Sequence, residues 1–208
     1  MNFFKNLSFK PAFLDRIEQY TAAALLAYLA YRVWPSEFSA QNAFSILVLF
    51  SEGMVVLFLL ARKTTVGISM RFSDWVIAAA GSFLVLLVGK GGAPISMTLG
   101  MTLALVGIIM HVGAKLSLNQ SYGLVAANRG IKAKGMYRLV RHPMYAGYVL
   151  SHAGLILLSP SAWNAAIYFA VWGLLVARIF AEERILIQDQ AYRDLCSVVR
   201  YRLFPGVF

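Results

Sequence analysis

The sequence predicts an all-α membrane protein of about six transmembrane helices, followed by an amphipathic helix on the cytoplasmic surface. Three observations carry that prediction. Hydrophobic residues make up 60% of the 208 positions and charged residues 13%, at a mean hydropathy of +0.68, which is more apolar material than one soluble core of this length buries. The apolar residues are gathered into runs, most of them near the ~20 residues of a bilayer crossing. The basic residues fall between those runs.

Residues 1–14 carry Lys5 and Lys10 without an unbroken apolar core and read as an interfacial lead-in. The first apolar run spans 17–33 and stops at Trp34-Pro35. A cleaved signal peptide competes for this run, because Ala27-Tyr28-Leu29-Ala30 ends in small residues; the long lead-in and the later runs favour an uncleaved anchor. Further runs span 43–61, 75–88, 95–118, 143–158 and 162–181, the third and fifth of the six being short. Gly and Pro mark 89–94 as a loop and Ser159-Pro160-Ser161 as a tight turn. Residues 184–202 mix Ile185, Leu186, Leu195, Val198 and Val199 with Arg193, Asp194 and Arg200, the pattern of an amphipathic helix folding back over the cytoplasmic face.

Charge placement orients these spans. With a cytoplasmic N-terminus, all but Arg32 and Lys90 of the 19 Lys and Arg residues fall on the inner side, which predicts both termini in the cytoplasm of an inner or plasma membrane. The net charge of +10 is thereby assigned to topology and anionic head groups rather than to nucleic acid. The single cysteine, Cys196, excludes an internal disulfide. His111, His142 and His152 are scattered, and no set of residues has metal-ligand spacing. Nothing in the chain indicates an oligomeric state.

Residues 135–147 concentrate the chemistry: Gly135, Tyr137, Arg138, Arg141, His142, Pro143, Tyr145 and Gly147 lie between a basic loop and an apolar run. Proline disfavours helix in the residue before it and suits the first helical turn, so a helix is predicted to begin at Pro143. Arg141 and His142 then sit at its positive end, and His142 shares a face with Tyr145. Glu182 and Glu183 close the last run. Two carboxylates at a helix C-terminus oppose the macrodipole, so they call for compensating cations among Arg141, Arg178 and Arg184, or for a function. Glu52, in the middle of the second run, is a separate candidate for catalysis, either facing an acceptor pocket together with His152 or protonated and bonded to a neighbouring helix.

The ordered set Gly135-x-Tyr137, Arg141-His142-Pro143-x-Tyr145-x-Gly147, Glu182-Glu183 and Arg202-Leu203-x-Pro205 resembles the integral-membrane methyltransferases typified by isoprenylcysteine carboxyl methyltransferase and the phospholipid N-methyltransferases. The resemblance covers the chain from about Gly107, dividing one membrane domain into accessory spans (1–106) and a cofactor-binding core (107–208). It implies S-adenosylmethionine as cofactor, a lipid or other lipophilic acceptor, and a cleft lined by Gly135, Tyr137, His142, Pro143, Tyr145, Glu182 and Glu183 and enclosed by the C-terminal helix. Arg141 and Glu183 become catalytic candidates; for Arg141, clamping the cofactor carboxylate, binding an acidic acceptor and anchoring to lipid phosphate stay open. Asn128 and Arg129 are secondary candidates. Relatives often carry Leu-Val-Thr where this chain has Ile131-Lys132-Ala133, and a second tyrosine where it has Leu195, so the acceptor need not be that of the named enzymes.

Two rival readings come from other classes. Sterol-type reductases using NADPH share a His-Pro-x-Tyr-x-Gly signal, but commonly place an acidic residue where this chain has Tyr148. A non-enzymatic transporter would space polar residues through several spans, and most spans here are uniformly apolar.

Overall fold

The computed structural model describes residues 9–32, 34, 43–62, 64–65 and 67–208, with the side chains of residues 32, 43–45, 47–48 and 51–52 outside that description. The described helices are α1 (Pro11–Arg32), α2 (Ala43–Ala61), α3 (Phe72–Phe83) with a following 3-10 turn (Leu84–Leu87), α4 (Met97–Leu118), α5 (Pro143–Leu158), α6 (Ala162–Leu186) and α7 (Gln190–Val198). Among the described residues there is no strand, only an isolated bridge between Ile68 and Ala127. Met97–Ser121 and Ala162–Leu186 are long and apolar enough to cross a membrane; Phe72–Leu87 and Pro143–Leu158 are apolar but shorter.

Several boundaries differ from the sequence expectation, each for a physical reason. The first helix starts at Pro11, not residue 17, and takes in Asp15, Arg16 and Glu18. Those charges interrupt the apolar pattern, yet Asp15 and Glu18 are buried, because Arg62 and Arg129 neutralise them. The third helix begins at Phe72 and tightens into the 3-10 turn at its far end. The last long helix continues to Leu186, so Glu182 and Glu183 ride on its final turns. Of the expected 184–202 helix, residues 184–186 end α6 and Gln190–Val198 forms a separate short helix, capped by the Asp189 side chain. That short helix buries Tyr192 and Leu195.

The closest packing lies between α4 and α5, where glycines let the two backbones meet. A Cβ added at Gly107 would stand 2.4 Å from the Ser151 nitrogen, and one at Gly147 would stand 2.6 Å from that of His111. Such small-residue seams give helices close van der Waals contact where no water drives them together. At the far end of the α5–α6 hairpin, Asn164 ties the turn down by donating to the carbonyls of Ser159 and Gly89 at 3.0 Å each. The hairpin therefore returns the end of α6 to the start of α5, above a core that includes Val55, Leu59, Ala114, Val171, Leu175 and Ile179.

Gly107→Ala should lower stability by about 2 kcal/mol through overpacking. Gly173→Ala, on α6 with nothing within 4 Å of the added carbon, should instead raise it by about 0.5 kcal/mol. Thermal unfolding in detergent micelles compares the two, and equal shifts would contradict this account of the seam.

Candidate active site

The site assembles where the start of α5 meets the end of α6. His142 is the N-cap of α5 with a non-helical backbone (φ −127°, ψ 61°), and Pro143 occupies the first turn. Ahead of it, Gly135 opens a 3-10 turn (Gly135–Arg138) at φ +60, where a Cβ would also collide with Ser117 Oγ at 2.3 Å, so only glycine fits. The chain's tail pairs with this segment through its backbone: Arg141 N–H donates to Tyr201 O at 2.9 Å and His142 N–H to Arg202 O at 2.8 Å.

The Glu182-Glu183 pair organises the side chains. The Tyr145 hydroxyl donates to Glu182 Oε1, and His142 Nδ1 lies 3.6 Å from Glu182 Oε2. Glu183 Oε1 forms an ion pair with Arg141 Nη1 at 2.9 Å and accepts from the Tyr192 hydroxyl at 3.1 Å and from His142 Nε2 at 3.3 Å, while its Oε2 accepts from Arg202 Nε at 2.8 Å. Two carboxylates at the unfavourable end of a helix thus gain three cationic or ring donors and two phenols.

Tyr137, Arg141, His142, Tyr145 and Glu182 line one cleft, with the 121–130 loop, Leu186, and Tyr192 and Leu195 of α7 forming its other walls. Gly135, Pro143 and Glu183 do not line it. Glu183 stands behind, its oxygens taken up by four partners, and Pro143 and Gly135 shape the backbone. Glu52 lies on α2, with its side chain outside the described residues. Arg184 pairs with Asp74 instead of the glutamates, and Arg178 donates to Ser82 Oγ at 3.1 Å and Leu124 O at 2.8 Å, its guanidinium 5.2 Å from the centre of the Tyr145 ring.

A second, larger cavity of about 610 Å³ lies beside the cleft, between α1, α3, α5 and α6. Its wall is mostly apolar, with Leu26, Val85, Val171 and Leu175 around Tyr148, His152 and Arg178, and Met144 lines both spaces. His152 stacks on Tyr168 with ring centres 4.7 Å apart. Sequence reasoning did not find this cavity, nor Arg202 and Tyr192 as partners of Glu183. No local spacing marks the two partners, which stand 9 and 19 residues from Glu183 in the chain.

Residues 95–193 match the model of the phospholipid methyltransferase family. Among curated proteins none matches the chain. The matched segment contains α4, α5, α6, the Arg141–Tyr145 stretch and both glutamates, and leaves α1–α3 and Arg202 outside it. The match suggests a membrane methyltransferase, in keeping with the two helices long enough to span a bilayer.

His142 links the site to pH. Burial works against its imidazolium, but the hydrogen bonds to Glu182 and Glu183 prevail and raise its pKa above the ordinary 6.5. Its folded pKa is the higher one, so the stability of the charged ring is complete below pH 6.5 and is lost as pH rises through the elevated folded value. The gap in melting temperature between wild type and His142→Gln should be widest in mild acid and narrow toward alkaline pH; a gap that widens instead would contradict this.

Proposed function

We propose that the chain is an S-adenosylmethionine-dependent methyltransferase acting from the cytoplasmic side of a membrane on a lipophilic or amphiphilic acceptor. One observation carries the reading: inside the matched segment, residues some forty positions apart form a cleft with acidic, basic and aromatic walls, and it adjoins an apolar cavity through Met144. The charge placement supports six spans with both termini cytoplasmic, which would set this cleft at the inner leaflet.

The residues fit the donor. Glu182 offers a carboxylate to its ammonium or ribose hydroxyls, Arg141 a guanidinium to its carboxylate, and Tyr137, Leu118, Ile131 and Leu195 an apolar bed for its base. Burial first and the Glu182 charge second push the Tyr137 phenol well above its usual 10.0, so it stays a neutral donor. The cleft holds about 90 Å³, short of the ~300–1,000 Å³ typical of ligand pockets, so entry requires the 121–130 loop and α7 to part. The hydrogen bond from Asn128 Nδ2 to Asp189 Oδ2, 2.9 Å, spans the gap between them.

When bound, the sulfonium supplies an already activated methyl group. The chain's task is to orient and to exclude water: Tyr145 and His142 hold Glu182 toward the cleft, and Glu183 acts behind them by fixing Arg141, His142 and the tail. The 610 Å³ cavity is the seat for the acceptor's apolar part, its polar end beside Met144 and Tyr148. A carboxylate acceptor, as in an isoprenylcysteine, needs no base; a phospholipid ammonium must first lose a proton.

Calorimetry on the purified chain should show S-adenosylhomocysteine binding and no NADPH binding. Glu182→Gln should weaken the former by about tenfold, the worth of a charge-assisted hydrogen bond. A labelled methyl donor offered with lipid extracts should then mark the acceptor. NADPH binding without S-adenosylhomocysteine binding would overturn the proposal in favour of a reductase.

A further inference from the structure

Four buried charges outside the glutamate pair's network sit where α1, the end of α2 and the 121–130 loop meet. Asp15 and Glu18 lie one turn apart on α1. Asp15 Oδ1 accepts from Arg62 at 3.1 Å and from Arg129 at 2.8 Å; Glu18 Oε2 accepts from Arg62 and, at 3.3 Å, from Arg129. No side chain in the set is more than 5% exposed, and the two acids balance the two bases.

Each member also grips backbone. Glu18 Oε1 accepts the N–H groups of Leu124 and Val125, Arg62 donates to Tyr122 O at 3.1 Å, and Arg129 donates to Val125 O at 3.1 Å. Asp15 Oδ2 accepts from Thr65 N–H at 3.0 Å, and Thr65 Oγ1 donates to Asn128 O at 2.7 Å. The loop held this way carries Gly123, Val125, Ala127, Arg129 and Gly130, all in the wall of the cleft. Glu18 itself does not line the cleft.

Burying four charges is a poor way to gain stability, because apolar residues of similar volume commonly do as well. A carboxylate does what an apolar group cannot: it fixes the direction of two backbone N–H groups. Asp15, Glu18 and Arg62 all precede residue 95, so the grip comes from helices outside the family segment. We infer that Glu18 is a positioning residue for the methyl donor's cleft, acting with Asp15, Arg62 and Arg129 to set the 121–130 loop, so that donor affinity depends on a side chain that does not touch the donor. The inference rests on the function proposed above and adds a role for the N-terminal helices.

The test uses the full chain in lipid nanodiscs. Glu18→Gln should weaken S-adenosylhomocysteine binding by about tenfold and raise the donor KM in step, with kcat unchanged. A purely structural role would instead lower the fraction of binding-competent protein and kcat together, leaving the dissociation constant as it was. Amide exchange at Leu124 and Val125, slow in the wild type, should accelerate in the variant. Thr65→Val serves if Glu18→Gln does not fold: it removes the neighbouring bond to Asn128, leaves the four charges in place, and should weaken binding by about threefold. Unchanged dissociation constants in the folded variants, or unchanged exchange at the two amides, would overturn the inference. If the wild type binds no S-adenosylhomocysteine, the functional reading fails first, and amide exchange still decides whether Glu18 fixes the loop.

Discussion

Everything at the cleft-bearing end of this fold depends on how two adjacent carboxylates, Glu182 and Glu183, are neutralised in the last turns of α6. The helix dipole opposes them, and the space around them is largely closed to water. Their compensation is drawn from three other parts of the chain: Arg141, His142 and Tyr145 at the start of α5, Tyr192 on α7, and Arg202 in the tail. Removing the acids would leave several cations facing one another, so the same contacts that make the site also hold its four segments together.

The two glutamates divide the work. Glu182 reaches the cleft, while Glu183 is taken up by its neighbours and holds them in register. A layer of Met144 and Tyr145, with Arg178 packed against the Tyr145 ring, separates the cleft from the larger apolar cavity. Met144 and Tyr145 sit on the first turn of α5, just before the Gly147 that packs against α4.

Much of this was legible in the chain. The break at His142-Pro143 follows from the steric demands of proline, and α5 begins at Pro143 as those demands predict. The runs at 43–61 and 143–158 coincide with helices because an unbroken apolar stretch leaves the backbone few alternatives. Less legible were the ends set by charge. Asp15 and Glu18 mark a helix as exposed by every local rule, and they are buried only because Arg62 and Arg129 arrive from elsewhere. Similarly, 184–202 reads as one amphipathic helix, but Asp189 caps a new start and shortens it to Gln190–Val198.

By itself, the sequence determined the helical class, most helix positions and which polar residues were worth watching, since steric preference and apolar clustering act between near neighbours. Only the tertiary structure decided that Glu182 faces the cleft while Glu183 stands behind it, and that the N-terminal helices grip the loop opposite. Arg129 meets Asp15 across 114 residues of chain and His142 meets Glu183 across 41. Pairings at such separations leave no periodic trace, because they are selected by which charges the packed helices bring within a few ångströms of one another.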